Sequence, residues 1–441
     1  MTPAGLEQLR QSACEIFDCG LRAADAREVV RRAVNLRDSH LTICDTRYGS
    51  SRKNIYVIAI GKAAAAMALG VTDVLGDRIT AGVLSGPLLR GQETLDSRWQ
   101  LFRGGHPLPN EDSLRAAEAS FALLESANQE WALVIFLISG GGSAMLEYPV
   151  RHQITLADLQ KANRVLVTSG ANISEINSVR RAFSAVKGGR LAAHAAIADQ
   201  LTLIVSDTNE GDETSVASGP TLVPKKDLPK AAEIMARYNL AESLPPRIVS
   251  VINDHPLLSQ PPQSNHPSYV LLSNRDALEG SAKAAQRLGF AVQIEHEINE
   301  QPIEEGCRLL LSRFQRLKQE RPDRKVCLIS GGEFSCPVRG DGIGGRNLET
   351  VLRCALEIEQ SNLTGDVVVL SAGTDGIDGN SRVAGAIADQ ITIPRAHNQS
   401  LDPRAFLEKS DSFRLFSPLG DTIKIGPTGT NVRDIRIILG G

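Results

Sequence analysis

Seven times along this chain a short run of apolar residues stops at a glycine or serine, and a helix-forming stretch follows. Ile55–Ile60 leads into Gly61-Lys62, Ala81–Leu84 into Ser85-Gly86, and Trp131–Ile138 into Ser139-Gly140-Gly141-Gly142-Ser143. Leu201–Val205 ends at Ser206-Asp207, Tyr269–Leu272 at Ser273-Asn274, Val326–Ile329 at Ser330-Gly331-Gly332, and Val367–Leu370 at Ser371-Ala372-Gly373. Runs this continuous lack the alternation of a half-exposed strand and belong to strands buried on both faces, which are usually parallel and covered by helices. In open α/β sheets, ligands bind beyond the carboxyl ends of the strands, where this chain keeps its polar and glycine residues. The fold class is therefore α/β, doubly wound. With 441 residues the chain needs two such units.

The segment 255–267, HPLLSQPPQSNHP, carries four prolines and can continue neither a helix nor a central strand. It predicts a first domain over 1–254 and a second over 268–441. A net charge of −3 creates no general field for nucleic acid or anionic lipid, so local basic residues call for a small anionic ligand. The N-terminus lacks the layout of a secretory signal, and the longest apolar run, Trp131–Ile138, is far short of the ~20 residues that span a bilayer. Seven cysteines with no CxxC pair read as free thiols in a reducing, cytoplasmic setting. Self-association is left open by the sequence.

Four segments of the first domain carry candidate chemistry. Lys62 is expected in the first turn of the helix after Gly61, where it opposes the helix dipole, and it reads either as a solvated surface lysine or as the partner of an anion bound there. The spacing is not that of a Walker A loop. Ser139, Gly140, Gly141, Gly142 and Ser143 form a glycine loop that is either a cradle presenting backbone N–H groups to phosphate or a tight strand-to-helix turn; it is not GxGxxG, which counts against a dinucleotide dehydrogenase. In INSVRRAFSAVKGGRLA, a helix would place Arg180, Ser184 and Lys187 on one face, either as a solvated basic surface or as a clamp on a carboxylate or phosphate. In SDTNEGDETSVASGPT, Asp207, Glu210, Asp212 and Glu213 crowd one loop, which repels unless it meets a cation, caps a helix or does acid–base work.

The second domain repeats the theme. Five glycines between Gly332 and Gly345 join a strand to a helix that starts at Arg346, with Gly344, Gly345 and Asn347 around it. Asp375 and Asp378 follow another strand and are either Mg²⁺ ligands or turn residues. His106, beside a proline, reads as a loop anchor or a base.

Taken in order, AIGKAAAAMA, GGHPLPNEDS, LISGGGSAML, INSVRRAFSAVKGGRLA, SDTNEGDETSVASGPT, SGGEFSCPVRGDGIGGRNLE, SAGTDGIDG and GPTGTNVRDI cover nearly the whole chain. Together they resemble the class II glycerate 2-kinases, long labelled hydroxypyruvate reductases. The resemblance implies a Rossmann-like N-terminal domain, a smaller C-terminal α/β domain with a mixed sheet, and an active site in the cleft between them. It implies ATP with Mg²⁺ or another divalent metal, and phosphoryl transfer to the 2-hydroxyl of D-glycerate. The functional residues it implies are Lys62, Asp207 or Asp212, and Arg346. Thr208-Asn209-Glu210 departs from the Val-Pro or Val-Ile-like stretch commoner in relatives, which keeps both acids as candidates. The alternative is an NAD(P)H-dependent hydroxypyruvate reductase.

Overall fold

Helix α1 (Pro3–Ala23) opens the computed structural model, which describes residues 3–37, 40–48, 54–88, 95–224, 228–254, 266–361 and 365–441. The chain divides into two units, Ala26–Leu271 and Met1–Asp25 with Leu272–Gly441.

In the first unit the apolar runs become strands β1 (Ile55–Ile60), β2 (Ile79–Ser85), β3 (Trp99–Phe102), β4 (Leu133–Ser139), β5 (Asp199–Val205) and β6 (Ser268–Leu272). They lie in the order β3-β2-β1-β4-β5-β6, and β3 through β5 pair in parallel. β1 and β4 are buried along their whole length, which is why neither alternates in sequence. Helix α2 (Ala64–Leu75) follows β1, and α3 (Glu111–Gln129) precedes β4. Asn110 starts α3, its side chain accepting from the Ser113 N–H while Ser113 Oγ accepts from the Asn110 N–H. Strand order reverses between β1 and β4, and in such sheets the crevice at the reversal is the binding position. The loops that begin at Gly61 and Gly140 flank it.

The second unit holds β7 (Ala291–Glu295), β8 (Val326–Gly332), β9 (Val367–Gly373), β10 (Gly385–Asp389), β11 (Thr422–Ile423) and β12 (Asp434–Gly440), in the order β7-β8-β12-β9-β10-β11. β7 and β8 are parallel, but β12 runs antiparallel to both β8 and β9. The sheet is therefore mixed, as the resemblance implies, and the expectation of a second doubly wound parallel sheet is corrected. β12 is buried throughout, so its composition carries no mark of its direction.

The expected division at 1–254 and 268–441 also changes, because α1 belongs to the second unit. A Cβ on Gly20 of α1 would overlap Ser281 of helix α6 (Asn274–Arg287), and one on Gly280 would overlap Ala23, so the two helices touch through their glycines. Arg10 adds ion pairs of 2.5 Å to both Asp389 and Asp421. These partners lie hundreds of residues away in sequence, beyond the reach of any local pattern. Of the expected linker, 255–265 lies outside the described residues. The seven cysteines are free thiols. Among the described residues no helix is long and apolar enough to cross a membrane.

Candidate active site

The loops after β1 and β4 are laced together before any ligand is considered. The Lys62 N–H donates to the Gly140 carbonyl at 2.8 Å and the Ala63 N–H to Ser139 Oγ at 3.0 Å, while Ser139 Oγ donates to the Ile60 carbonyl at 3.1 Å. Ser139 is thus a tie between strands. Gly61 has φ +112°, and a Cβ there would overlap the Ser139 carbonyl, so only glycine permits the crossing. Helix α2 begins at Ala64 with Ala63 as its N-cap, which puts Lys62 just before the helix instead of in its first turn.

Each of the three glycines after Ser139 makes room for a different neighbour. A Cβ on Gly140 would overlap the Asp207 carboxylate. One on Gly141 would come within 3.1 Å of Lys62 Cγ and 3.2 Å of His106 Cδ2, and one on Gly142 within 2.7 Å of Ala217 Cβ. Lys62, His106 and Asp207, from three separate segments, therefore converge on two glycine residues at the reversal of strand order. His106 thus stands beside the glycine loop.

Ser143, in the short helix α4 (Gly142–Met145), meets Ser218 Oγ at 2.6 Å, and Ser218 donates to Asn177 Oδ1 at 2.8 Å. Ala217 (φ +51°) and Ser218 (φ +61°) hold left-handed conformations that cost non-glycine residues about 1–3 kcal/mol each. The acidic loop resolves into distinct jobs. Asp207 reaches the glycine loop, Glu213 accepts from the Gly211 N–H at 2.8 Å, and Asp212 faces the charge of Arg181.

Helix α5 (Ile173–Phe183) carries Arg180 but stops before Ser184, so the single helical face expected for Arg180, Ser184 and Lys187 does not form. Ser184 instead bridges to Pro149 in extended conformation. Lys187 is 1% exposed and ion-paired with Glu147, itself 1% exposed, while Ser184 Oγ donates to Glu147 Oε1 at 2.5 Å. Burial pushes the Lys187 ammonium below its usual range, with Glu147 opposing the shift. Its expected contact with a substrate is thereby replaced by an internal pair. Glu147 carries no motif, and no sequence signal marks it as the partner of Lys187.

In the second unit, Arg346 is the first residue of helix α7 (Arg346–Gln360), as expected. Its Nε donates to Asp434 Oδ2 at 2.6 Å, and Nη2 lies 2.6 Å from Glu333 Oε1. Burial works against the guanidinium's charge, but the two carboxylates outweigh it and raise its pKa. Asn347 donates to Asp434 at 2.9 Å and accepts from Ser371 at 2.6 Å.

The expected anion at this helix start is the protein's own Asp378, whose carboxylate accepts from the N–H groups of Asn347 (3.0 Å) and Leu348 (2.8 Å). Burial pushes Asp378 up to about 7, against those two hydrogen bonds. Its assignment as a metal ligand gives way to capping. Asp375 accepts from the Ile377 N–H at 3.1 Å, in the manner of a turn residue. In the glycine loop before Arg346, three of the N–H groups that a phosphate cradle would use are engaged within the protein. Gly342 donates to Lys409, Ile343 to Asp411 and Gly344 to Asn380, while Gly345 leaves space for Asp378. Among the described residues no group of three or more His, Cys, Asp or Glu is placed to hold a metal.

A family model described as "Domain of unknown function (DUF4147)" matches residues 12–253, and one described as "MOFRL family" matches 326–434. A D-glycerate 2-kinase from Thermotoga maritima is 32% identical over 93% of this chain and 96% of its own. The chain belongs to the glycerate 2-kinase family. A glycerate 2-kinase from Pyrococcus horikoshii is 32% identical over 98% of this chain and 97% of its own, and a relative from Agrobacterium vitis that carries the hydroxypyruvate reductase name is 35% identical over 94% and 95%. The crystal structure of the Thermotoga maritima glycerate kinase covers 99% of this chain and 100% of that chain, with a TM-score of 0.81 at 29% identity. Within this glycerate 2-kinase family, kinase and reductase names therefore fall on chains of comparable identity to this one.

Proposed function

We propose that this chain is an ATP-dependent glycerate 2-kinase that transfers the γ-phosphoryl group of ATP to the 2-hydroxyl of D-glycerate. The observation that carries the reading is the convergence of Lys62, His106 and Asp207 on Gly140 and Gly141 at the reversal of strand order, in a chain of this family. Phosphoryl transfer asks a protein mainly to align its reactants and neutralise spread negative charge. Lys62 supplies a cation to the phosphates. Arg346 spends Nε and Nη2 on Asp434 and Glu333, and its Nη1 remains to bind a phosphate oxygen.

As the phosphorus–oxygen bond to ADP breaks, a new one forms to the glycerate 2-oxygen, whose proton must leave. Asp207 takes that proton or, failing that, holds the metal. The residues suit Mg²⁺, which needs only one or two carboxylates and fills its shell with phosphate oxygens and water. Asp207 would hold it, and the ion would neutralise phosphate charge.

The test is one assay of the full chain with D-glycerate, ATP and Mg²⁺, following ADP release and the phosphoglycerate isomer, beside a cuvette of hydroxypyruvate and NADH. The kinase reading requires 2-phosphoglycerate and an idle NADH cuvette; NADH consumption without ADP would overturn it. Lys62→Ala should lower kcat at least ~100-fold, the scale of losing one transition-state charge partner, with unfolding unchanged. Extra Mg²⁺ should rescue Asp207→Asn only if Asp207 is a metal ligand.

A further inference from the structure

Near the glycine loop of the first unit lies a buried charge imbalance that the phosphate-binding residues do not explain. Four cations, Arg180, Arg181, Lys187 and Arg190, interact with the two carboxylates of Glu147 and Asp212. Three of the cations have internal work. Lys187 holds Glu147, which also accepts from Ser184 and the Tyr148 N–H, and Arg190 donates through Nη1 to the carbonyls of Arg181 and Ser184 at the end of α5. Arg181 donates to Ser178 Oγ at 2.8 Å. Arg180 is the exception. Its Nε is shielded from solvent and has no hydrogen-bond partner among the described residues.

A desolvated guanidinium donor left unpaired costs free energy, and proteins keep such groups where a ligand completes them. Position supports this. Arg180 lies three residues after Asn177, on the same face of α5, and Asn177 is joined through Ser218 to Ser143 of the glycine loop. Three residues of helix advance by about 4.5 Å, so Arg180 rises from the helix within a small molecule's length of that loop. Burial holds the Arg180 guanidinium below its usual range despite the pull of Glu147.

We infer that Arg180 determines acceptor specificity, held without an internal partner so that its planar fork can bind the carboxylate of a 2-hydroxy acid. This rests on the kinase reading above. The phosphates have Lys62, and the acceptor's remaining ionised group is its carboxylate, whose two oxygens match two parallel N–H donors. A neutral polyol with the same hydroxyl would leave the guanidinium desolvated and unpaired, and sites built to pair a polar group discriminate strongly against analogues that lack it.

Arg180→Gln in the full chain tests this. D-glycerate KM should rise at least tenfold while ATP KM stays within twofold, and the preference for D-glycerate over glyceramide should fall at least tenfold. The melting midpoint of the ligand-free protein should hold or rise, because an uncompensated charge is gone, while the upward shift produced by D-glycerate disappears. Arg180→Lys, which keeps the charge but not the fork, should recover part of the glycerate affinity. An unchanged glycerate KM would overturn the inference. So would a rise confined to ATP KM, which would make the ligand a phosphate, or a lowered ligand-free midpoint with no ligand-specific loss, which would make Arg180 structural. If the wild type phosphorylates no glycerate, the kinase reading fails by itself; a glycerate-induced shift seen in wild type and absent from Arg180→Gln would still establish the carboxylate site.

Discussion

Gly140→Ala isolates the contact on which the first unit's site is built. Gly140 does not have a left-handed backbone, so alanine meets no conformational barrier there and should even gain about 0.4–1 kcal/mol by restricting the unfolded chain. The obstacle is the Asp207 carboxylate, which the new methyl would overlap. Overpacking of this kind costs about 1–3 kcal/mol, and the ~1.8 Å approach of a methyl to a carboxylate oxygen puts this case at the upper end, which leaves a net destabilisation of about 2 kcal/mol. The functional cost is larger, because a catalytic group displaced by ~1 Å can lose ~100-fold in rate.

Urea unfolding and an ADP-release assay would read the two effects, and a double-mutant cycle with Asp207→Gly ties them to one contact. With the carboxylate removed, the methyl has nothing to strike, so the two substitutions should couple by about 1–3 kcal/mol. Strict additivity, or a Gly140→Ala variant with wild-type turnover and stability, would refute the placement of Asp207.

Two further expectations concern the second unit. Arg346→Ala should destabilise by about 3–5 kcal/mol in urea unfolding, because it strands the buried Asp434 carboxylate; Asp434→Asn in the same chain should recover part of the loss. Asp378 has a pKa raised from 3.8 to about 7 in the fold, so its stabilising contribution is full below the unfolded value and lost as pH climbs through about 7. The stability of wild type relative to Asp378→Asn should therefore fall between pH 4 and 7, and a flat difference in thermal unfolding would contradict the burial of that carboxylate.

The strands and their polar ends were legible in the sequence because full burial demands uninterrupted apolar runs, and Ile55–Ile60, Leu133–Ser139 and Val367–Gly373 obey that demand locally. Lys62 and the glycine loop were legible for the same reason, since each sits at the end of such a run. What was not legible depended on partners remote in sequence. The attachment of α1 to the second unit rests on Gly20 against Ser281 and Arg10 against Asp389. Nothing near Asp378 announces that it caps a helix starting at Arg346, and nothing near Lys187 that Glu147 neutralises it.

Asp207 and Asp212 show the division most plainly. By sequence alone they are equivalent acids on one loop; in the fold only Asp207 comes to rest on Gly140, while Asp212 turns toward Arg181. Local composition determined which segments could carry chemistry, because burial and backbone freedom are local demands. Only tertiary packing decided which charges were already spent on one another, because a charge's partner is chosen by distance in space and not by distance along the chain.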